Sequence, residues 1–116
     1  MDKKQWFSTQ LRFVIMVEPI GGNVLCDCVF LLRSENFQTA FSRALNIGSG
    51  YQKQYINGDG ERVWWKFMSV ISIDIIDSDD LNGAEIHSDP IHLRTQETIP
   101  FETEFHPEDS KPIQTI

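Results

Sequence analysis

Apolar side chains recur on alternate positions at Phe7, Leu11, Phe13, Ile15 and Val17, with Ser8, Gln10 and Arg12 between them. A period of two puts them on one face of an extended chain, so a half-buried strand is predicted from Phe7 to Val17. Glu18-Pro19-Ile20-Gly21-Gly22-Asn23 gathers residues that fix φ or allow it to turn positive, and predicts a reversal. Val24 to Leu32 is then nearly unbroken apolar sequence, interrupted at Asp27, as expected of a strand with neighbours and a covered face. The period next lengthens. Ser34 and Asn36 offer N-caps, and Phe37, Ala40, Phe41, Ala44 and Leu45 follow at the spacing of one helical face, with Gly48 as the stop. That stripe is of the kind that packs on a sheet, its alanines letting the backbones approach closely.

A short strand is predicted over Tyr51 to Ile56, and Asn57-Gly58-Asp59-Gly60 is the strongest turn signal in the chain. The long strand after it, from Glu61 to Ile76, is apolar on both faces. Strict alternation places Val63, Trp65, Phe67, Ile71, Ile73 and Ile75 on one side and Trp64, Met68, Val70 and Ile76 on the other, among Lys66, Ser72 and Asp74. An acidic turn follows at 77–83, and Ala84 to His87 is expected to begin a last short strand. Beyond Asp89 the periodicity is lost among prolines and isolated hydrophobes. Residues 89–116 therefore read as an extended or partly ordered tail, with Ile99, Phe101 and Phe105 as possible anchors, behind one domain over residues 1–88. The fold expected is α+β: an antiparallel sheet of four to five strands in the order β-β-α-β-β-β, with one amphipathic helix packed on one face.

At 116 residues and 41% hydrophobic content the chain can bury a core without staples. A net charge of −7 argues against a nucleic-acid partner, because phosphate binders gather Lys and Arg. Cys26 and Cys28 lie two apart on a predicted strand, a poor spacing for a disulfide, and read as reduced core thiols. Neither a signal peptide nor a run of about 20 apolar residues is present, so no membrane partner is expected and the location expected is cytoplasmic.

The chemistry-bearing residues form no strong motif. His87, His92 and His106 with Asp89 have the donor types of a transition-metal site without its spacing. Asp74, Asp77, Asp79 and Asp80 lack the ladder of a calcium loop. Glu61 and Glu85 would form a carboxylate pair only if their strands were neighbours. With no Ser-His-Asp, Cys-His, phosphate-loop or dinucleotide fingerprint, no cofactor and no catalytic residue is assigned. The aromatic residues Trp6, Tyr51, Tyr55, Trp64 and Trp65 remain. Trp64 points away from Trp65, so if one faces the helix the other faces solvent, a partner or the tail.

The run Tyr55-x-Asn57-x-x-Gly60-Glu61-x-Val63-x-Trp65-x-Phe67, with Val70 and then Gly83-x-Glu85-Ile86, resembles a family of small bacterial and viral proteins known as a domain of unknown function. Trp6-Phe7-Ser8 and the helix with Ala40 and Ala44 fit the same pattern, so the resemblance spans residues 6 to 88. It implies a fold and no catalytic residues.

Small size, acidity, the lack of a catalytic constellation and a two-faced apolar strand point to a non-enzymatic binding or inhibitory module, of the immunity or anti-defence type. Its expected partner is a protein or a second copy, met by the face around Trp64 with Arg62, Lys66, Tyr55 and Trp6 as binding residues. One alternative is a small anionic ligand such as a nucleotide, stacked on Trp64 or Tyr55 and paired with Arg62 or Lys66. A hydrolase or metal enzyme using Glu61, Glu85 and His87 is the second.

Overall fold

The computed structural model describes residues 4–87, 91, 93 and 98–112. The elements are β1 (Gln5–Val17), β2 (Gly21–Ser34), α1 (Phe37–Tyr51), β3 (Lys53–Ile56) and β4 (Arg62–Ile76). All pairings are antiparallel and the strand order is β2-β1-β4-β3, with the helix on one face. The α+β expectation holds with four strands: 84–87 joins no ladder among the described residues. The described residues from 98 to 112 are exposed and contain one 3-10 turn at Pro107–Asp109. Phe101 is 99% exposed, so it does not anchor that segment to the sheet.

The core lies between the helix and the inner face of β1. Phe7, Leu11 and Phe13 from β1 meet Leu32 from β2 and Ala40 and Ala44 from α1, with Phe30, Trp65, Phe67, Val70 and Ile73 packed around them. Val70 reaches this face because β4 carries two one-residue bulges: Gln10 pairs with Ser72 but Leu11 with Val70, and Arg12 with Ser69 but Phe13 with Phe67. Each extra residue reverses the alternation of everything beyond it. Val70 therefore turns inward while the skipped Met68 and Ile71 stand exposed, the reverse of strict alternation for Val70 and Ile71.

The helix also differs from its predicted stripe. It buries Ala40, Ala44 and Gly48, while Phe37, Phe41 and Leu45 are 58%, 42% and 40% exposed. The small row faces the sheet because it allows the closest approach, and the bulky row is carried to the flank of the contact. Gly48 is not the stop: the helix runs on to Tyr51, whose ring meets Phe30 at 5.1 Å and Phe13 at 5.3 Å. Tyr51 is therefore a helix terminus rather than the start of β3.

Of the two candidate caps, Asn36 is the one used. Its side-chain oxygen accepts the Thr39 N–H at 2.8 Å, while the buried Ser34 hydroxyl donates to the Asn36 carbonyl at 3.2 Å. Asn36→Ala is expected to lower the unfolding free energy by about 1 kcal/mol, read as a shift in the urea midpoint at unchanged slope.

On the outer face Arg12 makes a bidentate pair with Asp27 across β1 and β2 at 2.8 and 2.9 Å, and Gln10 donates to the same carboxylate at 2.9 Å. The Arg12 hydrogen bonds outweigh the desolvation of the carboxyl and, with Gln10 and the Arg12 charge, hold Asp27 below its ordinary range. A carboxyl whose folded-state pKa is lowered stabilises the fold above its unfolded value of about 3.9, and that contribution disappears as pH falls through the lowered value. Asp27→Asn is accordingly expected to reduce stability at neutral pH and to flatten the acid limb of the stability profile, measured by urea unfolding from neutral to acid pH.

Candidate binding surface

The turn between β3 and β4 is built by Asn57. Its side-chain oxygen accepts the N–H groups of Asp59 and Glu61 at 3.0 and 2.9 Å, its amide donates to the Glu61 carboxylate at 3.2 Å, and Gly60 has φ +80°. This turn sends β4 back beside β1 in the register Met16↔Trp64 and Val14↔Lys66, which fixes Trp64 and Lys66 on the outer face. Arg62 shares that face, opposite Ile56.

Trp64 is half-buried against the turn that joins β1 to β2. Its indole N–H donates to Glu18 Oε1 at 2.7 Å, and Lys66 Nζ stands over its ring 5.6 Å from the centroid. Glu18 in turn faces Arg62 Nε at 3.9 Å, and Arg62 donates to Gln54 Oε1 at 3.2 Å. The Glu18 N–H donates to the Arg62 carbonyl at 3.0 Å, so the carboxylate is placed by backbone as well as side-chain bonds. Two shallow concavities flank the indole. One of about 330 Å³ is lined by Gln52, Lys53, Gln54, Trp64, Trp65 and Lys66, and one of about 210 Å³ lies over Met16, Glu18 and Pro19.

The structure brings Trp64, Arg62 and Lys66 together on one face, and the other two named residues do not join them. Tyr55 pairs with Val63 and lies on the helix side. Trp6 shares the outer face but pairs with Ile76, ten residues along β1 from the Met16↔Trp64 pair, roughly 30 Å away, with Arg33 5.5 Å from its ring centroid. In the sequence Glu18 stands only as a turn residue. No local signal reveals it, because it meets Trp64 through the β1–β4 pairing of strands distant in sequence.

The other candidate chemistries are dispersed. Glu61 and Glu85 are not neighbours: Glu61 is bound into the turn before β4, while Glu85 lines a concavity of about 430 Å³ at the far end of that strand, with Asp74, Asp77 and His87. His87 Nδ1 lies 3.7 Å from Asp74. Among the described residues no group of three or more His, Cys, Asp and Glu side chains could hold a metal. Asp89 and His92 lie outside the described residues, and His106 faces Glu108 at 3.3 Å. Cys26 and Cys28 are both free, with their sulfurs 3.7 Å apart, and burial, with the neighbouring Cys26, pushes the Cys28 thiol up. No described helix is long and apolar enough to cross a membrane.

No curated protein and no solved structure matches this chain. A family model described as a domain of unknown function, DUF4288, matches residues 6–88. That span takes in every strand and the helix apart from Gln5. The chain belongs to the DUF4288 family.

Proposed function

We propose that this chain is a non-enzymatic binding or inhibitory module that engages a protein partner through the outer sheet face around Trp64. The observation that carries this reading is the Trp64–Glu18 hydrogen bond. It satisfies the only polar atom of the indole and fixes the ring while leaving it half-exposed, with Lys66 and Arg62 beside it. A pre-positioned tryptophan brings large apolar area at little entropic cost, and residues of this kind dominate interface energetics. The patch suits a partner that offers an apolar side chain to the concavities and neutral hydrogen-bond acceptors to Lys66 and Arg62. A free anionic ligand is disfavoured, because Glu18 places a negative charge between Trp64 and Arg62. The free thiols fit a reducing, cytoplasmic location.

The test is capture of partners from the native host on immobilised wild-type chain, Trp64→Ala and Tyr55→Ala, the last altering an aromatic on the opposite face. A partner retained by wild type and Tyr55→Ala and lost by Trp64→Ala is expected, with affinity reduced about 30-fold or more, as for a hot-spot residue. Equal capture by all three chains would remove the reading. Thermal stabilisation by nucleotides, abolished in Arg62→Ala, would replace it with the anionic-ligand alternative.

A further inference from the structure

We propose that β2 pairs edge to edge with β2 of a second copy of this chain, antiparallel about a two-fold axis at Phe30, joining two four-stranded sheets into one. This surface is separate from the Trp64 patch and does not depend on the function assigned to it. β2 is the outermost strand on its side, and among the described residues it pairs only with β1. Its other edge presents alternate main-chain N–H and C=O groups over 14 residues.

The remaining edges are protected in ways that this one is not. β3 is only 4 residues long, and the part of β4 beyond it is broken by bulges at Met68 and Ile71. The irregularity of β2 is confined to its beginning, opposite Ile15 to Val17, and the strand contains neither proline nor lysine. Its outer-face residues Val29 and Leu31 are 42% and 43% exposed.

The charges select the occupant and the register. β2 has two charged residues, Asp27 and Arg33, which pair with Arg12 and Trp6 of β1 and so share the outer face. An antiparallel pair of identical strands centred on Phe30 sets Asp27 of each copy opposite Arg33 of the other. The same register sets Val29 against Leu31, Cys28 against Leu32 and Phe30 against itself. Centring the axis on Asp27 would oppose like charges, and centring it on Val29 would leave both charges facing leucines. The strand is therefore complementary to itself, as a closed two-fold interface requires. Asp27, already bonded to Arg12, would lie between two guanidinium groups, and the Arg33 group stacks on its own Trp6. Both helices would lie on the same face of the joined sheet.

Sedimentation of the full chain is expected to give twice the monomer mass of 13.4 kDa. Arg33→Glu, which sets like charges opposite each other twice, is expected to weaken the dimer by about tenfold or more. In a Cys26→Ser, Cys28→Ser background, Phe30→Cys should form a disulfide-linked dimer under mild oxidation. Leu25→Cys, five residues from the axis, should not. A monomer at the highest soluble concentration would overturn the proposal. So would a dimer insensitive to Arg33→Glu, with neither cysteine variant or only Leu25→Cys cross-linking; circular dichroism establishes that each variant is folded.

Discussion

Replacing Phe13 by alanine is expected to lower the unfolding free energy by about 3–5 kcal/mol, the cost of deleting a fully buried aromatic ring from a core that cannot collapse around the space. Phe13 is 0% exposed on a strand with neighbours on both sides. Its ring lies 5.3 Å from Tyr51, 5.6 Å from Phe67 and 6.3 Å from Trp65, so it joins the end of the helix to β4. A domain of this size has about 5–15 kcal/mol in total, and the variant should be substantially destabilised. Chemical unfolding followed by circular dichroism measures the loss directly. A loss under about 1 kcal/mol would mean that the ring cluster is not the centre of the core.

Gly48→Ala is the second large effect, and its sign separates local propensity from packing. Alanine in a helix interior is favoured over glycine by about 1 kcal/mol, so local propensity alone gives a more stable protein. A Cβ at Gly48 would stand 2.5 Å from the ring of Phe67, which is itself packed against Phe13. The ring must move as a body or the helix must lift from the sheet, and such overpacking costs about 1–3 kcal/mol. The variant is expected to lose about 1 kcal/mol net, and Gly48→Val more, because its larger side chain is also stiff in a helix. A gain in stability on Gly48→Ala would show that the helix does not approach β4 this closely.

Gly48 also marks where the sequence stops being legible. A glycine after a helical pattern reads as a terminator, and only the tertiary approach to Phe67 gives it another role. The strands, the hairpin turn at Asn57–Gly60 and the helix follow from periodicity and turn chemistry, since each expresses a local rule. The exchange of Val70 and Ile71 does not, because a bulge is set by pairing with β1 and leaves no mark on the alternation of β4 alone. The same limit governs the surface patch. Arg62, Trp64 and Lys66 are close in sequence and share a face by the period of two. Glu18 joins them only because β1 inserts between β2 and β4. Tyr55 and Trp6 share only the aromatic type with Trp64, and the register separates them from it, one by face and the other by distance.

The most direct measurement is fluorine NMR of the chain labelled with fluorotryptophan, titrated with the captured partner. The three tryptophans, Trp6, Trp64 and Trp65, should give separate resonances, assigned by single Trp→Phe variants. Binding through the outer face near Glu18 is expected to shift the Trp64 resonance and protect it from solvent, while Trp65, on the inner face, keeps its position. A complex that forms with the Trp64 resonance unmoved would contradict the account.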